Sequence, residues 1–155
     1  AGQVRARLTP ALTLRAAVSA LRTVEAGERV SYGHRWRAPR RTRIATLPIG
    51  YADGLRRGLS GRIRVRLGGH DLPQIGTVTM DQVMVDVGET DVEVGQVATL
   101  LGDPANGDPG VGEWSAALDT IDYEITCGLS PRLPRVHHRA GHPGSGRRAI
   151  QEAVG

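Results

Sequence analysis

The chain contains no lysine and no phenylalanine, a single cysteine, and only five other aromatic residues, two Trp and three Tyr, among 155. It also has no apolar run long enough to cross a bilayer. Each shortage excludes something. One thiol, Cys127, cannot build an internal disulfide framework and fits a reducing compartment, so a cytoplasmic protein is expected. The first residues, "AGQVRARLTPALTL", lack a signal-peptide pattern. All twenty basic residues are arginine, as GC-rich codon usage gives, and sixteen acids are interleaved with them for a net charge of +4. Nucleic-acid binders concentrate their charge in one patch, and this dispersed pattern argues against that class.

What is present is mostly short β-like runs separated by Gly and Pro. Residues 62–67, "RIRVRL", and 82–87, "QVMVDV", alternate as half-buried strands do. Residues 43–48 and 96–102 read as further strands, and "GGHD" at 68–71 reads as a hairpin connection. Residues 11–24, "ALTLRAAVSALRTV", alternate well enough for one strand, although their Ala and Leu content also suits a helix. "EAGERV" then turns at Gly27. "DPANGDPG" at 103–110 is a loop, 111–119 a short helix with Trp114 as a core anchor, and "TIDYEI" a return to strand. Cys127 beside that strand end is expected to be a buried structural thiol. The pattern as a whole predicts an all-β, barrel-like domain with a short helix over residues 1–136. Residues 137–155, rich in Gly, His and Arg, are expected to form a mobile tail with one weak helical turn at "RRAIQEAV".

Chemistry is harder to find. No glycine-rich phosphate loop, nucleophile elbow or metal-ligand spacing is visible, and His137, His138 and His142 have no partner pattern that would make them a metal site. Asp53, Asp81 and Asp86 read as turn or edge carboxylates. The three tyrosines are the anomaly. Tyr32, Tyr51 and Tyr123 stand beside Gly, Asp or Glu rather than inside apolar runs. Physical reading alone stops at a β-rich domain with three phenols in chemically suggestive places.

The segments "VSYGHRW" at 30–36, "LPIGYADGLRRGLS" at 47–60, "IGTVTMDQVMVDVG" at 75–88 and "ALDTIDYEITCGLSPRLPR" at 117–135 extend that reading. In this order and spacing they resemble the C-terminal domain of alanine racemases, from about Pro10 to Val136. The resemblance implies a pyridoxal-phosphate enzyme interconverting L- and D-alanine for peptidoglycan synthesis, with each active site shared between two subunits of a homodimer. It implies that Tyr32 is the catalytic base on the L-alanine side, opposite the lysine that binds the cofactor. A phenol with an ordinary value near 10 needs help from its surroundings for that work. It implies that Tyr51 stands at the mouth of the substrate site and that the Met80 backbone N–H meets the substrate carboxylate. Tyr123 would donate to the cofactor phosphate, and Arg57 and Ile121 would line the access corridor.

Two departures matter. Thr77 and Thr79 stand where the family often has Arg and Cys, which bears on substrate range and on the approach to the site. A broad-range racemase acting on serine or lysine is therefore a second expectation, and a stand-alone binding module a third. In addition, the family's lysine belongs to an N-terminal α/β barrel, and this chain has neither barrel nor lysine, so no Schiff base can form on it. The chain is expected to be inactive alone. Tyr32, Tyr51 and Met80 would serve the partner subunit's cofactor, and Tyr123 that of its own barrel.

Overall fold

The computed structural model describes residues 9–137. The tail and helical turn expected after His137 lie outside these residues, as do His138 and His142. The strands are β1 (Leu14–Ala17), β2 (Ala20–Val24), β3 (Arg29–Val30), β4 (Trp36–Arg37), β5 (Thr42–Leu47), β6 (Arg64–Leu67), β7 (His70–Ile75), β8 (Val83–Asp86) and β9 (Val97–Leu101). Two helices follow, α1 (Val111–Leu118) and α2 (Asp122–Cys127).

Seven strands form one sheet in the order β1-β9-β6-β7-β8-β5-β2, and β3 with β4 makes a separate ribbon. The two edges of the large sheet are consecutive in the chain. Only Val18 and Ser19 separate them, so Ala17 and Ala20 cannot be more than about 11 Å apart. The sheet must therefore curl until its edges meet, which is the barrel-like form expected. The single strand expected over 11–24 is thus two strands with a corner. At that corner the Val18 N–H donates to the Gln96 carbonyl and the Ser19 N–H to the Thr46 carbonyl, each at 2.9 Å, so adjacent residues are claimed by opposite edges.

Alternation sets the register. In β6 and β8 every second residue is buried (Val65 and Leu67; Val83 and Val85), and these face the barrel interior. The β6–β7 hairpin turns on Gly68 and Gly69, both at positive φ, as a two-residue connection requires. One core cluster runs through the sheet and takes in Trp114 of α1 and Ile125 of α2. Trp114 is 1% exposed, the anchor expected of it.

Residues 120–125 depart from expectation. They alternate like a strand, yet Asp122 to Cys127 is helical. Ile125 and Leu129, four apart, face the core, while Ile121 and Tyr123 face outward. Asp122 and Glu124 lie in the first turn, where carboxylates complement the helix dipole, and the Thr120 hydroxyl donates to Glu124. Cys127, expected to be buried, is exposed on the last turn of this helix.

Candidate functional site

The three tyrosines are all exposed: Tyr32 by 62%, Tyr51 by 41% and Tyr123 by 77%, in a chain with little aromatic bulk for its core. Met80 and Ile121 are exposed as well. Five of the six expected site residues are thus apolar or phenolic groups left facing outward.

Tyr32 stands on a tight turn between β3 and β4. Gly33 there has φ 69°, which explains the glycine after the tyrosine, but Ser31 (φ 68°) and His34 (φ 50°) are also left-handed. The turn rests on the segment after β7. A Cβ placed on Gly76 would come within 2.7 Å of the Ser31 Cβ, so only glycine permits this approach. The same segment then meets the turn that carries Tyr51. The Tyr51 N–H donates to the Thr79 carbonyl at 2.9 Å, and the Ala52 N–H donates to the Met80 carbonyl at 3.0 Å. Residues 76–82 therefore join Tyr32, Met80 and Tyr51 into one group. Among the described residues the Met80 N–H has no hydrogen-bond partner and remains available as a donor.

Tyr123 and Ile121 belong to the other side of the segment that starts at Gly50. Arg56 lies 3.9 Å from Glu124, and Gly54 is pressed against the backbone of Gly128 and Leu129 after α2. Arg57 is exposed at the start of the 3-10 turn Arg57–Leu59. This segment ties both sets of residues to one scaffold.

Sequence reasoning missed two supports. Asp53, read as an ordinary turn carboxylate, is buried and its Oδ2 accepts the Gly50 N–H at 2.9 Å. Arg132 approaches the other oxygen of Asp53 at 3.4 Å and also donates to Asp81 at 2.9 Å, linking the Tyr51 turn to the Met80 turn. The Asp81 hydrogen bond, followed by the charge of Asp53, holds the Arg132 guanidinium above its ordinary value. Asp86 is the last residue of β8, an interior strand and not an edge, and accepts from the Thr42 hydroxyl and the Gly88 N–H.

Thr77, expected to bear on the approach to the site, is 1% exposed, and its hydroxyl donates inward to the Tyr32 carbonyl at 2.9 Å. The Thr79 hydroxyl likewise turns to the Gln82 carbonyl at 2.8 Å.

The donor set suits an anionic, phosphate-bearing cofactor on one side only. It offers phenols, a free backbone N–H and an exposed arginine, but no amine that could bind an aldehyde. Two open hollows, one beside Arg40 to Arg43 and one along Asp91 to Gln96, include none of the six residues. Among the described residues no three His, Cys, Asp or Glu side chains converge as a metal site requires, and no helix is long and apolar enough to cross a membrane.

Comparison with known proteins gives this geometry a family. Residues 11–137 match the model "Alanine racemase, C-terminal domain". An alanine racemase of Mycolicibacterium smegmatis is 48% identical over 136 residues, covering 86% of this chain and 35% of the relative. The alanine racemase structure from D-cycloserine-producing Streptomyces lavendulae superposes with a TM-score of 0.83 at 43% identity, over 86% of this chain and 35% of that one. The structure from Bartonella henselae, described with covalently bound pyridoxal phosphate, superposes at 0.73 with 33% identity, over 80% and 34%. The chain thus spans about a third of the length of the relatives it matches, and it belongs to the alanine racemase C-terminal domain family.

Proposed function

We propose that this chain is the part of a pyridoxal-phosphate-dependent alanine racemase that supplies a proton-transfer base, Tyr32, to an active site whose cofactor is held by an α/β barrel. The observation that carries this reading is the grouping of an exposed phenol, Tyr32, with the free N–H of Met80 and with Tyr51 on one continuous backbone scaffold. The Met80 N–H suits a substrate carboxylate, and the Tyr32 phenol suits proton exchange at the neighbouring α-carbon. Tyr51 narrows the mouth of the site. Racemisation needs a proton taken from one face of that carbon and one returned to the other, so two bases on opposite sides serve it without turning the substrate. Bound there, pyridoxal phosphate would acidify the α-proton by withdrawing electrons from the carbon. Tyr123 would donate its hydroxyl to the cofactor phosphate, and Arg57 with Ile121 would line the corridor to it.

Exposure of these residues fits a site completed by another surface. The chain as given has no lysine, and we propose that it is inactive alone. The active assembly is a cytoplasmic homodimer in which Tyr32, Tyr51 and Met80 face the partner's cofactor, and its product is D-alanine for the cell wall. In this reading residues 1–136 form the racemase domain. Racemisation by the purified 155-residue chain with added cofactor would overturn this assignment.

The test of the base is Tyr32→Phe in the assembled racemase. A general base contributes roughly 10²- to 10⁴-fold, so turnover should fall by that order while cofactor content is unchanged. Near-normal rates in both directions would remove Tyr32 from the role. A broad-range racemase acting on serine or lysine is the second reading, motivated by Thr77 and Thr79, whose hydroxyls donate to the Tyr32 and Gln82 carbonyls; rates compared across amino acids separate the two.

A further inference from the structure

The turn that carries Tyr32 is held in a conformation its residues do not favour. Ser31 adopts φ 68° and ψ 177°, a region that is essentially reserved for glycine, and His34 adds a second left-handed residue at φ 50°. Such backbone persists only where its surroundings over-determine it. Here the surroundings are specific. The Ser31 hydroxyl donates to the Thr77 carbonyl at 2.6 Å, and the Thr77 hydroxyl donates back to the Tyr32 carbonyl at 2.9 Å. Val30 before the turn is 2% exposed and anchored in a small second core with Val24, Ala38, Ile44 and Ile75. Gly76 lets the two backbones approach closely enough for both bonds to form.

The two bonds bracket the Tyr32 residue, one from the side chain before it and one at its own carbonyl. Thr77 can do this because it is buried: water does not compete for its hydroxyl, and the β-branched side chain is stiff at χ1. Tyr32 itself packs little, the residue being 62% exposed, so its direction is set by its backbone and by whatever surface it meets. Resting on the reading of Tyr32 as the base, we propose that Thr77 is its positioning residue: through the Tyr32 carbonyl, the Thr77 hydroxyl holds the strained turn that aims the phenol. If that bond is lost, Ser31 can relax towards negative φ and carry the Tyr32 Cα away from its place.

The experiment is backbone ¹⁵N relaxation on the 155-residue chain, which has its own core, in three forms: native, Thr77→Val and Thr77→Ser. Valine keeps the shape and removes the donor, and serine restores the donor. The expected result is a fall in the order parameters of Tyr32 and Gly33 in Thr77→Val, from about 0.85 to below about 0.6, with β5 and β8 unchanged and Thr77→Ser near native. Native-like order at Tyr32 and Gly33 in Thr77→Val would overturn the proposal, and so would failure of Thr77→Ser to restore it. Should Thr77→Val not fold, Thr77→Ala, which cannot overpack the site, is read by the same criterion. In the assembled racemase Thr77→Val should lower kcat roughly 10- to 100-fold with little change in KM, as misplacement of a reacting group does. If Tyr32→Phe proves harmless, the base assignment fails while the relaxation result still decides whether Thr77 orders the turn.

Discussion

Arg132 donates to Asp81 at 2.9 Å, closing a contact between residues 51 apart in the chain. Its Nε also lies 3.4 Å from an oxygen of the buried Asp53. The guanidinium therefore stands between the turn of Tyr51 and the turn of Met80 and, among the described residues, is the one cation in ion-pair range of the Asp53 carboxylate. Arg132→Gln should destabilise the chain by about 1–3 kcal/mol, since it leaves a buried carboxylate with only its bond from Gly50. Urea unfolding measures this. An unchanged midpoint would mean that Asp53 is satisfied by water and that the bridge is ornamental.

Trp114 is fully buried, yet its indole N–H has no hydrogen-bond partner among the described residues. Its value therefore lies in volume rather than polarity. Trp114→Ala should cost about 3–5 kcal/mol by leaving a large cavity. Trp114→Phe should cost clearly less, because it keeps an aromatic body and breaks no bond. Equal losses in thermal or urea unfolding would show instead that the N–H has a partner, such as a buried water.

The contrast between local and distant features explains what was legible in the sequence. The strands β6 and β8 could be read because Val65, Leu67, Val83 and Val85 alternate with outward residues, and alternation is a local property. The same rule misled at 120–125, where Ile121, Tyr123 and Ile125 alternate but only Ile125 reaches the core. There the carboxylates of the first helical turn and the four-residue spacing to Leu129 carried the better signal. At 11–24 strand was the correct reading on both sides of the corner, although burial does not alternate there (Ala17 and Val18 are both buried), and the corner arises from closure of the sheet, which no local pattern encodes. The candidate tyrosines were visible because each sits in a distinctive local motif. Their supports were not, because Ser31 with Thr77 and Arg132 with Asp81 are pairs 46 and 51 residues apart. Thr77 in particular was read only for what its residue type does to the approach to the site, since its burial and its bond to the Tyr32 carbonyl arise from contacts distant in the chain.

Arg64 holds Glu113 in a two-point contact, at 2.9 and 2.8 Å, and also reaches Asp71 at 2.7 Å. The hydrogen bond from Arg64 holds the Glu113 carboxyl below its ordinary value of 4.5, aided by the Gly110 N–H at the start of α1. Because the folded value is the lower one, the contribution to stability is full above pH 4.5 and is lost as pH falls through the depressed value. The pair is partly exposed, so screening limits the effect to about 1 kcal/mol or less. Urea midpoints followed from neutral pH to about pH 3 should fall less steeply on the acid side in Glu113→Gln than in the native chain. Parallel curves would assign the acid loss to other carboxylates.

Gly50 lies where the Tyr51 turn crosses the Met80 turn, and a Cβ there would collide with the carbonyls of Thr79 and Met80. Its φ of −150° suits any residue, so the requirement for glycine is steric contact and not backbone strain. Gly50→Ala must therefore push the two turns apart and weaken the bonds from the Tyr51 and Ala52 N–H groups. Overpacking of this kind typically costs about 1–3 kcal/mol. The amide resonances of Tyr51 and Ala52 should move upfield as their hydrogen bonds lengthen, while those of β6, on the far side of β7, stay in place. On the proposed role of the Met80 N–H at a substrate carboxylate, the same change in the assembled racemase should raise KM more than it lowers kcat. A loss in kcat alone would place the Met80 turn outside substrate binding and leave the phenol of Tyr32 as the main contribution of this domain.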